Sequence, residues 1–243
     1  MTEHGPSLDA VVIGASGGIG RALVSALAAR ANVSSLTALS RSAAASPDRR
    51  VQTGRIDLLD EGSIAAAAAA CAGKPPRLVI CATGLLHDGP MQPEKSLREL
   101  DPDYLARVLA VNTIGPALVI KHFAPLLPRR GRSVIALLSA RVGSISDNRL
   151  GGWYAYRASK AALNQVVRTA SIELSRRWPE AIIVGLHPGT VATPLSAPFR
   201  GSVSAEKLFA PELAADRLLA VIDGLSSKDS GRCFAWDGSE VPA

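Results

Sequence analysis

Short apolar runs alternate with longer amphipathic or alanine-rich stretches along the whole chain. Residues 10–13, 36–39, 51–56, 78–81, 133–138 and 182–186 have the length and the Val/Ile/Leu content of strands, and 233–236 adds a last short one. Between them lie helical stretches at 21–29, 63–72, 154–178 and 211–225. One more opens at Asp101-Pro102, an N-cap followed by proline at the first helical position, and runs toward His122. Gly73 and Pro179 are placed to stop the helices before them.

Strands that alternate with helices imply a parallel sheet buried on both faces. The pattern predicts an α/β fold: a doubly wound parallel sheet of about seven strands with helices on both faces. No composition break or internal repeat divides it, so 1–243 is read as a single domain. The longest stretch without a pattern, around 191–209, carries Pro194, Pro198, Gly201 and several serines. A long loop after the carboxyl end of a strand belongs at the ligand crevice, and this one is expected to hold the substrate.

Composition refines this picture. Of 243 residues, 47% are hydrophobic but only 4% aromatic, so the core is built from Ala, Val, Leu and Ile. No apolar run approaches the roughly 20 residues that span a bilayer. The polar start, 1–9, lacks the charged and apolar regions of a secretory signal, so a cytoplasmic protein with no membrane partner is expected. Cys71, Cys81 and Cys233 are far apart and form no CxxC pair, which predicts reduced, buried thiols and no metal site. The net charge of +6 includes the cluster Arg129, Arg130 and Arg132. No aromatic residues interleave with it, so it is read as a solvated loop and no nucleic-acid partner is expected.

The first strand run ends in a glycine-rich turn that opens a helix. Gly14, Gly18 and Gly20 let the backbone turn sharply and approach a pyrophosphate, while the helix N-terminus offers free N–H groups to phosphate. Ser16 and Ile19 of the same turn are counted with them as cofactor contacts. At the end of the second strand, where a dinucleotide site for NAD usually places a carboxylate, the chain has Ser40-Arg41. An arginine there pairs with a 2′-phosphate, so Arg41 points to NADP, with NAD less favoured.

Tyr156 and Lys160, four apart in a helical stretch, share one face. A free phenol with a pKa near 10 is a poor base at neutral pH, and a nearby ammonium is expected to lower it so that a proton can move as a hydride moves. Ser139 ends the fifth strand run at the edge where the glycine turn also sits, placed to bond a substrate oxygen. Pro116, four residues after Asn112, has no N–H for the Asn112 carbonyl. That freed carbonyl suits an ordered water connecting to Lys160 and feeding protons to Tyr156.

Together, Gly14-x-x-x-Gly18-x-Gly20, Asn112, Ser139, Tyr156-x-x-x-Lys160 and Pro188-Gly189-x-x-x-Thr193 resemble the short-chain dehydrogenase/reductase family, in order and over nearly the whole chain. The resemblance implies a Rossmann-like domain, a dimer or tetramer, and Asn112, Ser139, Tyr156 and Lys160 as a catalytic tetrad. In it the Tyr is acid/base, the Lys also binds the nicotinamide ribose, the Ser orients the substrate oxygen and the Asn holds a water. It further implies that Asp57 and Leu58 touch adenine, that Gly84 keeps a tight turn near the cofactor, and that Pro188, Val191 and Thr193 lie by the nicotinamide. The segments 143–149, 152–160 and 187–191 are similar to the C-factor-like branch, which includes carbonyl reductases and proteins linked to cell-cell signalling. Where the family has Asn-Asn-Ala-Gly, this chain has Cys81-Ala82-Thr83-Gly84, so the sheet must be tied differently there.

Two functions stand open on these residues: an NADP-preferring oxidoreductase acting on a carbonyl or alcohol, and a cofactor-bound signalling or scaffold protein. Leu195, Pro198, Phe199 and Leu208 are expected to make an apolar pocket wall, with 84–87 opposite. Tyr154, His87 and His187 are read as packing or wall residues, outside the chemistry.

Overall fold

In chain order the elements are β1 (Leu8–Ile13), α1 (Gly18–Ala28), β2 (Val33–Ser40), β3 (Val51–Arg55), α2 (Glu61–Cys71), β4 (Leu78–Cys81), α3 (Pro102–Leu109) and α4 (Gly115–Phe123). They continue with β5 (Ser133–Leu138), α5 (Tyr154–Leu174), β6 (Ala181–His187), β7 (Thr190–Val191), β8 (Leu208–Phe209), α6 (Pro211–Gly224) and β9 (Cys233–Ala235). This computed structural model describes residues 7–243 apart from 44, 45, 47, 90 and 203. Residues 1–6, most of the polar start considered above, lie outside the described residues.

Seven strands form one sheet in the order β3-β2-β1-β4-β5-β6-β9. All its ladders are parallel. The order reverses beside β1, which opens a crevice between the carboxyl ends of β1 and β4. Register levels those ends: Ile13 lies opposite Leu39 and Cys81, Cys81 opposite Leu137, and Leu138 opposite Leu186. Gly14, Arg41, Ala82 and Ser139 therefore follow the sheet's carboxyl edge together.

Successive strand residues point to opposite faces, and both faces are covered. Val11 and Ile13 pack into one core with Ile64, Phe123 and Leu163 of α2, α4 and α5. Ala10 and Val12 pack into the other with Leu23 and Leu27 of α1 and Leu218 and Ile222 of α6. Two-residue β7 and β8 pair separately and close the base of the loop between them.

Several boundaries differ from the sequence reading. α1 begins at Gly18 instead of Arg21, so the glycine turn and the helix overlap. α5 ends at Leu174 instead of Trp178, whose buried indole N–H turns back to the Leu127 carbonyl at 3.1 Å. The helix from Asp101 is longer and more apolar than the runs suggested. Pro102–Leu126 spans 25 residues and contains an 18-residue window with a mean hydropathy of 1.3, enough by length and composition to cross a membrane. Here it is a core helix: Tyr104, Val108, Val119, Ile120 and Phe123 are buried.

The three cysteines are free and buried. The arginine cluster has packing roles. Arg129 stacks over Trp178 at 4.6 Å, and Arg132 donates to the carbonyls of Ile222 and Leu225 at the end of α6.

Candidate active site

The glycine turn is built by missing side chains. Gly14 adopts φ +84, and its N–H and that of Ala15 both donate to the Leu39 carbonyl, at 2.8 and 3.0 Å, which ties the turn to β2. A Cβ on Gly20 would sit 2.1 Å from the Gly14 carbonyl oxygen, and one on Gly18 2.6 Å from the Thr193 methyl. A helix leaves its first N–H groups without intrahelical partners. In α1 no side chain caps them and no acidic residue stands in the first turn. This donor set fits a dinucleotide pyrophosphate.

From the turn a crevice of about 420 Å³ runs across the sheet edge. Gly14, Ser16, Arg41, Asp57, Leu58 and Gly84 all line it. Arg41 is exposed directly after β2, and Asp57 is held by the Leu59 N–H at 3.0 Å. The remaining expected cofactor contacts sit around the turn. Ile19 packs on buried Val191, Thr193 lies over Gly18, and Pro188 is half-buried where β6 gives way to β7.

The four expected tetrad residues are all buried and stand behind the crevice lining, next to Gly84 and Leu85 of its wall through Asn112 and Lys160. Asn112 lies in a π-helical widening, Ala110–Ile114, between α3 and α4, where the Gly115 N–H reaches back to the Ala110 carbonyl. Such widenings concentrate at functional sites, and this one directly precedes Pro116. The Asn112 carboxamide accepts from the Leu85 N–H at 2.7 Å and donates to the Leu85 carbonyl at 2.8 Å and to Ser159 Oγ at 3.0 Å. It thereby ties down the segment after β4 where Ala82 replaces the family asparagine. Ala82 itself is joined to β1 through its N–H to the Ile13 carbonyl at 2.7 Å.

Tyr156 and Lys160 share one face of α5, with the ammonium 5.7 Å from the phenol ring centre. Lys160 Nζ donates to the Leu138 carbonyl at 2.7 Å. A Cβ on Gly84 would lie 3.8 Å from Asn112 Oδ1 and 3.9 Å from Lys160 Nζ, so the glycine keeps the path between crevice and amine open. The Tyr156 hydroxyl makes no hydrogen bond among the described residues. The Ser139 hydroxyl donates to Asn164 Oδ1 at 2.6 Å, two turns beyond Tyr156 on α5.

The electrostatics differ from expectation. The ammonium was expected to acidify the phenol, but burial shifts it the other way. Desolvation, with a smaller contribution from Tyr104, raises Tyr156 to about 12. Desolvation lowers Lys160 to about 8. Removing water penalises both charged forms, so at neutral pH the phenol keeps its proton. That state suits proton donation, the task of an acid in carbonyl reduction.

An apolar wall stands beside Tyr156, formed by Leu86, Ala140, Val142, Trp153, Leu195 and Phe199. Leu195 and Phe199 lie where expected. Pro198 is exposed, and Leu208 instead pairs with Thr190 in the β7–β8 ladder. His87 lies edge-on to Phe199 at 5.7 Å, with Nε2 3.3 Å from the Pro194 carbonyl, and Tyr154 is half-buried. Burial pushes His187 down to about 4, so it stays neutral. Leu86 belongs to the expected 84–87 wall, whereas sequence reasoning missed Asn164 and the wall role of Trp153. Only Asn164 left a signal, four residues after Lys160 on the same helical face.

Comparison with known proteins places this geometry. A family model described as short chain dehydrogenase matches residues 9–203. The C-signal protein of Myxococcus xanthus is 41% identical over 145 residues, covering 58% of this chain and 81% of that protein. A 1-hydroxy-2-glutathionyl-2-methyl-3-butene dehydrogenase from a Rhodococcus species is 39% identical over 140 residues, 58% of this chain and 59% of that one. Among solved structures, an NADPH-bound carbonyl reductase from chicken fatty liver superposes with a TM-score of 0.85 at 26% identity, covering 98% of this chain and 95% of that one.

Proposed function

The chain belongs to the short-chain dehydrogenase family of oxidoreductases, and on that premise we propose that it is an NADP-preferring carbonyl reductase with Tyr156 as its proton donor. The observation that carries this reading is the buried Tyr156–Lys160 pair, whose amine lies next to Gly84 in the wall of the crevice that begins at the glycine turn. NADPH, when bound, supplies the hydride. The backbone around Gly14, Ser16, Gly18, Ile19 and Gly20 would hold its pyrophosphate, Arg41 a 2′-phosphate, Asp57 and Leu58 the adenine end, and Gly84, Pro188, Val191 and Thr193 the nicotinamide end.

Tyr156 gives its phenolic proton to the substrate oxygen as the carbonyl carbon is reduced. Lys160 stabilises the phenolate left behind, and its ammonium at the Leu138 carbonyl is positioned to return a proton. The Asn112 backbone carbonyl, released by Pro116, holds a water that links Lys160 to solvent. Ser139 turns from Asn164 to bond the same substrate oxygen. The wall of Leu86, Trp153, Leu195 and Phe199 excludes water and favours a small or medium apolar carbonyl compound. The expected homodimer or homotetramer would use α4 and α5, where a groove of about 760 Å³ is lined by Ala117, Ile120, Ala124, Val166 and Ala170.

The test is NADPH oxidation against a panel of carbonyl compounds, with Tyr156→Phe as control. Turnover that the Tyr156→Phe variant loses while it still binds NADPH supports the proposal. The likeness to C-signal favours a second reading, a cofactor-bound signalling protein. NADPH binding with no turnover anywhere in the panel would establish that reading instead.

A further inference from the structure

The helix that carries Tyr156 begins in an unusual way. Three residues in succession, Gly151, Gly152 and Trp153, adopt the left-handed conformation, with φ of +65, +64 and +53. Two glycines take this without strain, but a tryptophan does not. Trp153 is also the N-cap of α5, and no side chain caps the helix from that position. A non-glycine held in this region persists only where its surroundings impose it.

Two residues hold this turn, Glu94 and Arg157. Glu94, 1% exposed, lies 61 residues before Ala155. Its carboxylate accepts the Ala155 N–H with both oxygens, at 3.3 and 3.2 Å. Its backbone carbonyl accepts the Trp153 N–H. From the other side, Arg157 Nε donates to the carbonyls of Gly151 and Gly152 at 3.2 and 2.9 Å. An N-cap side chain normally supplies the acceptor for the second or third helical N–H. Here Glu94 supplies it from a distant segment, and a buried carboxylate at a helix N-terminus is favoured by the helix dipole.

Tyr156 is the residue next to Ala155. The indole of Trp153 meets the Tyr156 ring edge-on at 6.2 Å and Phe199 at 5.2 Å. Glu94 thus grips the backbone on which both the proton donor and one pocket wall are mounted. We propose that Glu94 is a positioning residue that caps α5 in place of Trp153 and so fixes the Tyr156 hydroxyl and the Trp153 wall relative to the substrate. This rests on the reading of Tyr156 as proton donor. It adds that the donor's aim is set by a carboxylate that does not touch substrate or cofactor.

The test compares wild type with Glu94→Ala and Glu94→Gln for kcat, KM, NADPH affinity and melting temperature, together with amide hydrogen exchange over residues 153–158. Misplacing a reacting group by about 1 Å costs roughly 100-fold in rate. Glu94→Ala is expected to lose about that much kcat, to raise KM through the displaced Trp153, and to speed exchange at Ala155. NADPH affinity, set at the glycine turn, should stay within about twofold. Glu94→Gln keeps an oxygen acceptor without the charge and should recover about tenfold of that loss, leaving kcat about tenfold below wild type, a partial rescue that a loss of folding would not show. If Glu94→Ala does not fold, the Glu94→Gln variant alone decides, by kcat reduced at unchanged NADPH affinity. The idea is overturned if kcat stays within about threefold in the variant that folds, or if NADPH affinity falls in step with kcat. Should the wild type turn over no substrate, the proposed function fails by itself. Exchange at Ala155 then judges the cap, and unchanged protection in the variants rejects it.

Discussion

Replacing Gly20 by alanine tests the cofactor site at its most crowded point. The added Cβ would lie 2.1 Å from the Gly14 carbonyl oxygen and 2.8 Å from its carbon. The approach to the oxygen is more than 1 Å short of an ordinary contact, which begins at about 3.4 Å. Both atoms are backbone, so no rotamer change relieves the overlap, and either α1 slides or the turn opens. Overpacking of this kind costs about 1–3 kcal/mol, which lowers the melting temperature of a chain this size by about 2–12 °C. The same displacement moves the α1 N–H groups off a bound pyrophosphate. Each charge-assisted hydrogen bond is worth about 1.5–3 kcal/mol, so NADPH affinity should fall by at least about tenfold. Gly17→Ala is the control, because its Cβ would stand 3.3 Å from the same oxygen, a clash that a few tenths of an ångström relieve. Fluorescence titration with NADPH reads both variants. If Gly20→Ala binds NADPH as tightly as Gly17→Ala does, the glycine turn is not the pyrophosphate site.

Lys160, lowered to about 8 by burial, should lose its ammonium in mildly alkaline solution, so kcat/KM for carbonyl reduction should fall as pH rises through about 8. Its folded-state pKa lies below its ordinary 10.5, so the unfolded chain binds the extra proton, and the lysine's contribution to stability rises between about pH 8 and 10.5. Denaturant titrations across that range should show the rise in wild type and not in Lys160→Met. Tyr156, raised to about 12, adds the opposite slope above pH 10. Arg41→Asp should shift the ratio of kcat/KM for NADPH over NADH downward by about 100-fold, the loss of one charge-assisted pair plus a new repulsion; an unchanged ratio would remove Arg41 from the site. Asn164→Leu removes the acceptor that the Ser139 hydroxyl must leave before it bonds the substrate oxygen, so kcat should not fall and NADPH affinity should stay unchanged. A fall in kcat would mean that Ser139 keeps its bond to Asn164 during the reaction.

The parts of the site that local periodicity governs were legible in the sequence. Two residues four apart on a helix must share a face, and Tyr156 and Lys160 do. Asp101 before Pro102 had to cap, and its carboxylate accepts the Tyr104 N–H at 2.7 Å. The turn after β1 was legible as a tight glycine turn opening a helix, but the start of α1 was misplaced, because glycines read as loop. Close packing of Gly18 on Thr193 and Gly20 on Gly14 overrides that preference. What local pattern cannot carry is a bond between distant segments. Asn112 holding Leu85, Asn164 holding Ser139 and Glu94 capping α5 each join residues 25 or more apart. The protonation of Tyr156 was misjudged for the same reason: burial is a property of the whole fold, and it shifts the phenol upward, where the helical spacing alone made an ammonium prominent.

The central claim is that the crevice delivers a hydride to a carbon whose oxygen Tyr156 protonates. Product formed with NADPH deuterated at the transferable C4 position, analysed by mass spectrometry, addresses it directly. The account predicts one deuterium on the former carbonyl carbon with wild type, and no labelled product with a Tyr156→Phe variant that still binds NADPH. Labelled product formed at the wild-type rate by Tyr156→Phe would contradict it.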